Sequence, residues 1–192
     1  MRSISSASSS RPSSRPPDPS GSVPRLFALD QNFPEPIVDA LADFLAEDAE
    51  LVPLRQIDPR LTTADDWQIL HALYAHKRTW DGLITTDSSM LGLPKELAVI
   101  CQTKLTLVVA IGAGHDPIKA TGLLLAHLGS IAQATDPDAA QIWTLRTVAR
   151  RPEDPWDHLT RAAENQGIQA RTLYHRERLS PVALSAPPEL KN

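Results

Sequence analysis

The chain has 192 residues, 42% of them hydrophobic and 5% aromatic, with a formal net charge of −4. That length suffices for one domain with a sizeable core, and no uninterrupted apolar run approaches what a bilayer span requires. The single cysteine, Cys101, excludes an intrachain disulfide and a cysteine-based zinc site, and points to a reducing compartment such as the cytoplasm.

The charge is unevenly placed. Residues 1–25 hold four arginines and one acid, residues 26–141 seven basic and sixteen acidic residues, and residues 142–192 eight basic and six acidic. An acidic centre between basic ends suits a cation site whose nucleic-acid contacts come from elsewhere. It suits solvated helix faces equally well.

Residues 1–24 contain ten serines and five prolines and almost nothing apolar. Such a stretch cannot bury enough surface to offset its ordering entropy, which predicts a disordered tail. It is also Arg- and Ser-rich with no acid before Asp18, as organelle transit peptides are, and it lacks the apolar segment of a secretory signal.

From Leu26 the pattern alternates, and residues 25–178 read as one domain. "RLFALD" is a short buried strand. "PEPIVDALADFLAED" follows the helical period through Ile37, Val38, Leu41, Phe44 and Leu45, with prolines at its start. "AELVPLRQ" is a second strand, placed at an edge by Pro53. After a loop, "TADDWQILHALYAHKR" is amphipathic through Trp67, Leu70, Leu73 and Tyr74. "WDGLITTD" is a third strand, and "SSMLGLPKELAVICQTK" a helical connection interrupted near Gly92 and Pro94. "LTLVVAIGAG", the most apolar strand, is expected at the centre. "DPIKATGLLLAHLGSIAQAT" is a helix capped by Asp116 with Pro117 at its first position, and "QIWTLRTVAR" a fifth strand. "DPWDHLTRAAENQG" and "IQARTLYH" predict a helix and a short strand, and residues 179–192 a loose C-terminal tail. Strands alternating with helices argue for a layered α/β domain on a mainly parallel sheet.

In an open parallel sheet, reactive groups collect beyond the carboxyl ends of the strands. Asp30 directly follows the first strand and Asp87 the third, while Asp65 and Asp66 begin the helix that leads into the third strand. All would emerge on one rim. Carboxylates packed together repel and need a proton or a cation, and hard oxygen ligands suit Mg²⁺ or Mn²⁺. Structural roles stand beside this one. Asp65 or Asp66 serves well as an N-cap or first-turn acid, and Asp87 could cap "SSMLGL".

"FALDQNFP", followed by "ADDWQILHALYAHKRTWDGLITTDSSML", resembles the PIN-like nucleases, in particular the compact bacterial branch whose first strand ends in an Asp-Glu-Asn-Leu-Pro type sequence. It is more distantly similar to the toxin ribonucleases of toxin–antitoxin pairs. In that pattern an acid begins the helix leading into a strand that ends Thr-x-Asp. Asp66, followed by Ile69 and Leu70, takes the helix position, and Thr85 to Asp87 the strand end, within a resemblance over residues 25–125.

The resemblance implies a three-layer α/β/α PIN-like domain with a mainly parallel central sheet. It implies Asp30, Asp66 and Asp87 as catalytic and metal-holding residues of a Mg²⁺- or Mn²⁺-dependent endoribonuclease, with Asn32 and Ser88 bordering the pocket and Asp65 pointing outward. Single-stranded or structured RNA, an antitoxin-like protein and a second copy of the chain are the partners it suggests. Gln31 and Ser89 stand where this branch often carries further acids. That departure leaves open a non-catalytic PIN-like module that binds protein or RNA with an incomplete metal site.

Other constellations are less complete. A strand-ending aspartate also begins the haloacid dehalogenase type phosphatases, but those need a second Asp where this chain has Asn32. "IGAGHDP" has two glycines before a helix start, without the full dinucleotide or P-loop pattern, and reads as a tight turn with His115 beside it. His71, His76 and His127 fall on helices as surface or core residues. Trp143, Trp156, Arg146, Arg150 and Arg151 offer a stacking surface and phosphate contacts for single-stranded RNA, or ordinary solvated positions.

Overall fold

Five short apolar segments become strands: β1 (Arg25–Leu29), β2 (Ala49–Pro53), β3 (Gly82–Thr85), β4 (Thr106–Ala110) and β5 (Gln141–Leu145). The structure is a computed structural model that describes residues 23–33, 36–114, 116–146 and 151–190, apart from the side chains at 36, 37, 39 and 40. Residues 1–22, and with them nearly all of the expected tail, lie outside the described residues. All five strands pair in parallel, in the order β2-β1-β3-β4-β5. β2 is an edge, as Pro53 suggests. β4 is fully buried and interior, but the middle place expected for it belongs to β3.

Side chains of successive strand residues point to opposite faces, and that alternation divides the core in two. Leu26, Ala28, Leu83, Leu107, Val109 and Ile142 face one layer of helices, while Phe27, Leu29, Ile84, Val108 and Ala110 face the other. The first layer contains α3 (Asp66–Ala75) and α4 (Pro94–Thr103), followed by α6 (Pro155–Asn165) and α7 (Ala170–Glu177). The second contains α1 (Pro36–Leu45) and α5 (Pro117–Ala134). This is a three-layer α/β/α sandwich. The second strand is shorter than expected, since the end of "AELVPLRQ" turns into the short α2 (Leu54–Ile57) after Pro53, and a 3-10 turn, Pro59–Thr63, fills the predicted loop. Asp116 caps α5 by accepting from the Lys119 N–H at 2.9 Å.

The connections are not all of one kind. The chain moves outward from β1 to β2 through α1 on the second face, then returns to β3 and on to β4 through α3 and α4 on the first. From β4 to β5 it continues in the same direction, but α5 lies on the second face. That last crossover therefore has the hand opposite to the other three, against the strong preference for a single hand in parallel sheets. At the start of β3, Gly82 leaves no room for a side chain, since a Cβ there would lie 2.0 Å from the Thr106 carbonyl oxygen.

Two sequence expectations are corrected at the C-terminal end. "IQARTLYH" forms α7 rather than a strand, because Ala170, Leu173 and Tyr174 turn to the core at helical spacing with only Leu173 fully buried. The expected loose end is packed as far as Leu190. Leu179 is buried, α8 (Pro181–Ser185) is capped by Ser180, and Leu184 and Leu190 lean on the first core. Gln102 holds Leu179 twice, donating to its carbonyl at 2.9 Å and accepting from its N–H at 2.7 Å. Gln68 donates to the Glu189 carbonyl at 3.0 Å, and a ring nitrogen of the buried His71 lies 3.2 Å from the Leu184 carbonyl. Two helix residues assigned to apolar stripes point outward instead: Phe44 is 67% exposed and Tyr74 47%.

Truncation after residue 178 is therefore destabilising. Loss of Leu179 burial alone costs about 1.5–3 kcal/mol, and Gln102 and His71 lose their partners as well. A fall in melting temperature of about 10 °C is expected in thermal melts of the truncated against the full chain. An unchanged melt would show that residues 179–190 contribute nothing.

Candidate functional site

The strand order places a switch point between β1 and β3, where the outward and returning connections part. Clefts at such points, beyond the carboxyl ends of the strands, are where open α/β sheets bind their ligands. Asp30 stands there because the ladder continues one residue past β1: its N–H donates to the Ile84 carbonyl at 2.9 Å. Its own carbonyl then accepts from Phe33 N–H at 3.0 Å, closing a turn anchored by the buried Phe33 ring.

Thr85, wholly buried at the end of β3, ties the two strand ends together. Its hydroxyl donates to Asp30 Oδ2 at 2.6 Å and accepts from the Asp87 N–H at 3.0 Å. Asn32 adds a second donor to Asp30 Oδ2 at 3.0 Å. Asp87 caps a 3-10 turn, Ser88–Leu91, accepting from the Ser89 N–H at 2.8 Å. Ser88, expected as a pocket border, is exposed at the start of that turn. Its neighbour Ser89 makes the contact instead, through its backbone.

Asp66 is the first residue of α3 and is half-buried. Burial first, then the negative charges of Asp87, Glu96, Asp30 and Asp65, together push its carboxyl up to about 6. Acids from three other segments, and its own neighbour Asp65, thus act on one carboxyl. Asp65 is exposed, and its N–H donates to Gln68 Oε1 at 3.0 Å across the helix start. Glu96, in the first turn of α4, was not singled out from the sequence because an acid there also serves the helix dipole. It is buried, and burial raises its carboxyl.

The donor chemistry at this rim fits a hard divalent cation, which would relieve the repulsion that raises Asp66. The side chains as placed are not closed around one point: among the described residues, no three His, Cys, Asp or Glu form a group that could hold a metal ion. Asp30 and Asp87 each commit a carboxylate oxygen to hydrogen bonds within the fold.

The remaining candidates lie elsewhere. Trp143 and Trp156 do not form an open stacking surface, since both are partly buried and packed on the two cores, Trp156 with its ring 5.4 Å from Tyr174. Arg146 and Arg151 are exposed, and Arg150 lies outside the described residues. Gly112, at φ 69°, makes the tight turn after β4, while His115 lies outside the described residues. A groove of about 750 Å³ opens at the opposite end of the strands, among Leu26, Leu41, Leu45, Leu51 and Asp81, and none of the rim acids lines it.

The Asp66 shift makes a signed prediction. A carboxyl at 3.8 when unfolded and about 6 when folded keeps its proton longer in the native state. Its charge therefore costs stability as pH rises from 4 to 6, and the cost is fully present above that window. With the group half-exposed and solvent-screened, about 1 kcal/mol is a reasonable size. Asp66→Asn is expected to raise the melting temperature by about 2–4 °C near neutral pH, with the gain vanishing near pH 4. Parallel melts at both pH values check it, and a gain independent of pH would assign the effect to something other than the charge.

Comparison with models of known protein families, with characterised proteins and with solved structures finds no match for this chain.

Proposed function

We propose that this protein is a divalent-metal-dependent ribonuclease of the PIN-like type, hydrolysing RNA phosphodiester bonds at the rim between β1 and β3. The observation that supports the reading is that Asp30 and Asp87, at the ends of β1 and β3, both act on Asp66, whose carboxyl is pushed up to about 6 by burial and its acidic neighbours. The resemblance of "FALDQNFP" and of the Asp66 to Asp87 stretch to that family supplies the substrate class.

Asp30, Asp66 and Asp87 would hold Mg²⁺ or Mn²⁺, with Glu96 behind Asp66. A metal ion so held supplies an activated water and stabilises charge on the attacked phosphate. The chain's own part is positional: Thr85 sets Asp30 relative to the Asp87 backbone, and Asn32 restrains the Asp30 carboxylate. The single cysteine accords with a cytoplasmic setting, and among the described residues no helix is long and apolar enough to cross a membrane.

A second reading, a PIN-like module that binds RNA or protein without cleaving, is favoured by one observation: Asp30 and Asp87 are engaged in internal hydrogen bonds. Incubation of the full chain with single-stranded RNA and Mg²⁺ or Mn²⁺, with and without EDTA, separates the two. Metal-dependent, chelator-sensitive cleavage supports the ribonuclease. RNA binding without cleavage favours the module, and cleavage indifferent to chelator overturns the metal assignment.

A further inference from the structure

A polar network beside the rim has no part in the reading above. His158, on α6, is a buried histidine whose two ring nitrogens both have partners. Nδ1 lies 3.3 Å from the carbonyl oxygen of Leu91, the last residue of the 3-10 turn that Asp87 caps. Nε2 lies 2.9 Å from Glu153 Oε2. Glu153 is bridged to β5 through an Ile142–Glu153 backbone pair, and its other oxygen accepts from the Thr144 hydroxyl at 3.0 Å.

Satisfying both partners at once makes a demand on the ring. A carbonyl oxygen only accepts, and so does an ionised carboxylate, whereas a neutral imidazole has a single N–H. Both bonds exist together only when the ring carries a proton on each nitrogen. Glu153 does not supply the missing proton. Burial pushes its carboxyl up, but the hydrogen bonds from Thr144 and His158 and the nearby charges outweigh that and hold it below the usual range. A partly buried ion pair of this kind contributes little net stability, which makes restraint of geometry its more telling effect.

We propose that His158 is a positioning residue: doubly protonated, it braces the 3-10 turn after Asp87 against β5, and on losing one proton it releases the turn. The turn is a single block, held at one end by the Asp87 cap and at the other by His158, with Met90 buried between them. Release at Leu91 is therefore felt at Asp87. Charged and titratable groups lie on each element around this corner. Arg161 Nη2 lies 3.8 Å from Glu153, and Asp154 caps α6. On α4, burial pushes the Cys101 thiol up to about 12, and on α7 burial raises the Tyr174 hydroxyl, so both stay uncharged near neutrality. The other charged or titratable residues of these helices are Lys95 and Glu96 on α4, and Arg171, His175, Arg176 and Glu177 on α7. The bracing itself is independent of activity, while its consequence for cleavage rests on the ribonuclease reading.

Nitrogen-15 spectra of the full chain across about pH 5–8 test it directly. The His158 ring is expected to carry protons on both nitrogens at the acidic end. The backbone amides of Ser89 to Gly92 should shift with the ring's own midpoint. Two variants split the bonds: His158→Asn places one amide donor near the Nδ1 position, and His158→Gln places one near Nε2. The Asn variant should keep the acidic-limit amide positions at all pH values, and the Gln variant should lose them. A ring held as one neutral tautomer throughout, or turn amides indifferent to its titration, overturns the proposal, and the wild-type spectra decide even if a variant fails to fold. If the chain cleaves RNA, the rate should fall about tenfold or more across that same midpoint in wild type and not in the Asn variant. Absence of cleavage would count against the ribonuclease alone and leave the spectra to judge His158.

Discussion

Asp30→Asn is expected to lower metal-dependent RNA cleavage by about 100-fold or more while leaving the melting temperature unchanged or slightly higher. The fold has little reason to resist the change. Thr85 needs an acceptor at 2.6 Å, and the amide oxygen of Asn can provide it in the same rotamer. The backbone bonds from Asp30 N–H to Ile84 and from Phe33 N–H to the Asp30 carbonyl do not depend on the side chain. What is lost is one negative charge among several that act on Asp66. Loss of that charge eases repulsion among the rim acids and weakens the hold on a cation, so stability and activity should part company. Cleavage assays on single-stranded RNA with Mn²⁺, run beside thermal melts, check both halves. Equal cleavage by wild type and variant would remove Asp30 from the site.

Gly82→Ala is expected to destabilise the protein by at least about 3 kcal/mol, with a fall in melting temperature of roughly 10 °C or failure to accumulate as folded protein. The added methyl would lie 2.0 Å from the Thr106 carbonyl oxygen, which is backbone and has no rotamer to yield. Relief requires β3 and β4 to separate where Gly82 pairs with Thr106. The same substitution at Gly122, on α5 with nothing within 4 Å, is expected to stabilise by up to about 1 kcal/mol instead. Melts of the two variants side by side measure the contrast, and a mild effect at Gly82 would show that the strands can slide apart at little cost.

How far the sequence could be read follows from the kind of signal each feature leaves. The strand ending at Asp30 was legible because four apolar residues run straight into a carboxylate, and the helices α3 and α5 because their starts carry Asp65 and Asp116 as caps. The layered α/β fold followed from that alternation. Thr85 was marked only as part of the Thr-x-Asp strand end, and its tie to Asp30 was not legible, since a threonine in a buried strand is also ordinary β-branched filling. Nor did the C-terminal segment. Gln68, His71 and Gln102 hold it through side-chain bonds to its backbone carbonyls and N–H groups, and such bonds impose no hydrophobic period. Phe44 misled in the other direction. It falls on the helical period of α1, yet it stays exposed while Leu41 and Leu45 are buried against the sheet with Val38 partly buried beside them.

The reversed hand of the β4–α5–β5 crossover bears on the order in which the chain assembles. Strands β1 to β4 with α1, α3 and α4 form a wound unit on their own, and the switch point with its carboxylates is complete within it. β5 joins only after α5 has been carried over the far face, and it pairs with a single strand, β4, plus the Ile142–Glu153 bridge. Adding it closes a long loop for one new ladder, which places it late in folding and early in partial unfolding. The amides of β5 should accordingly exchange with solvent faster than those of β1 and β3, and openings that release the far edge of the sheet should free the Glu153–His158 brace while Asp30 and Thr85 stay tied together.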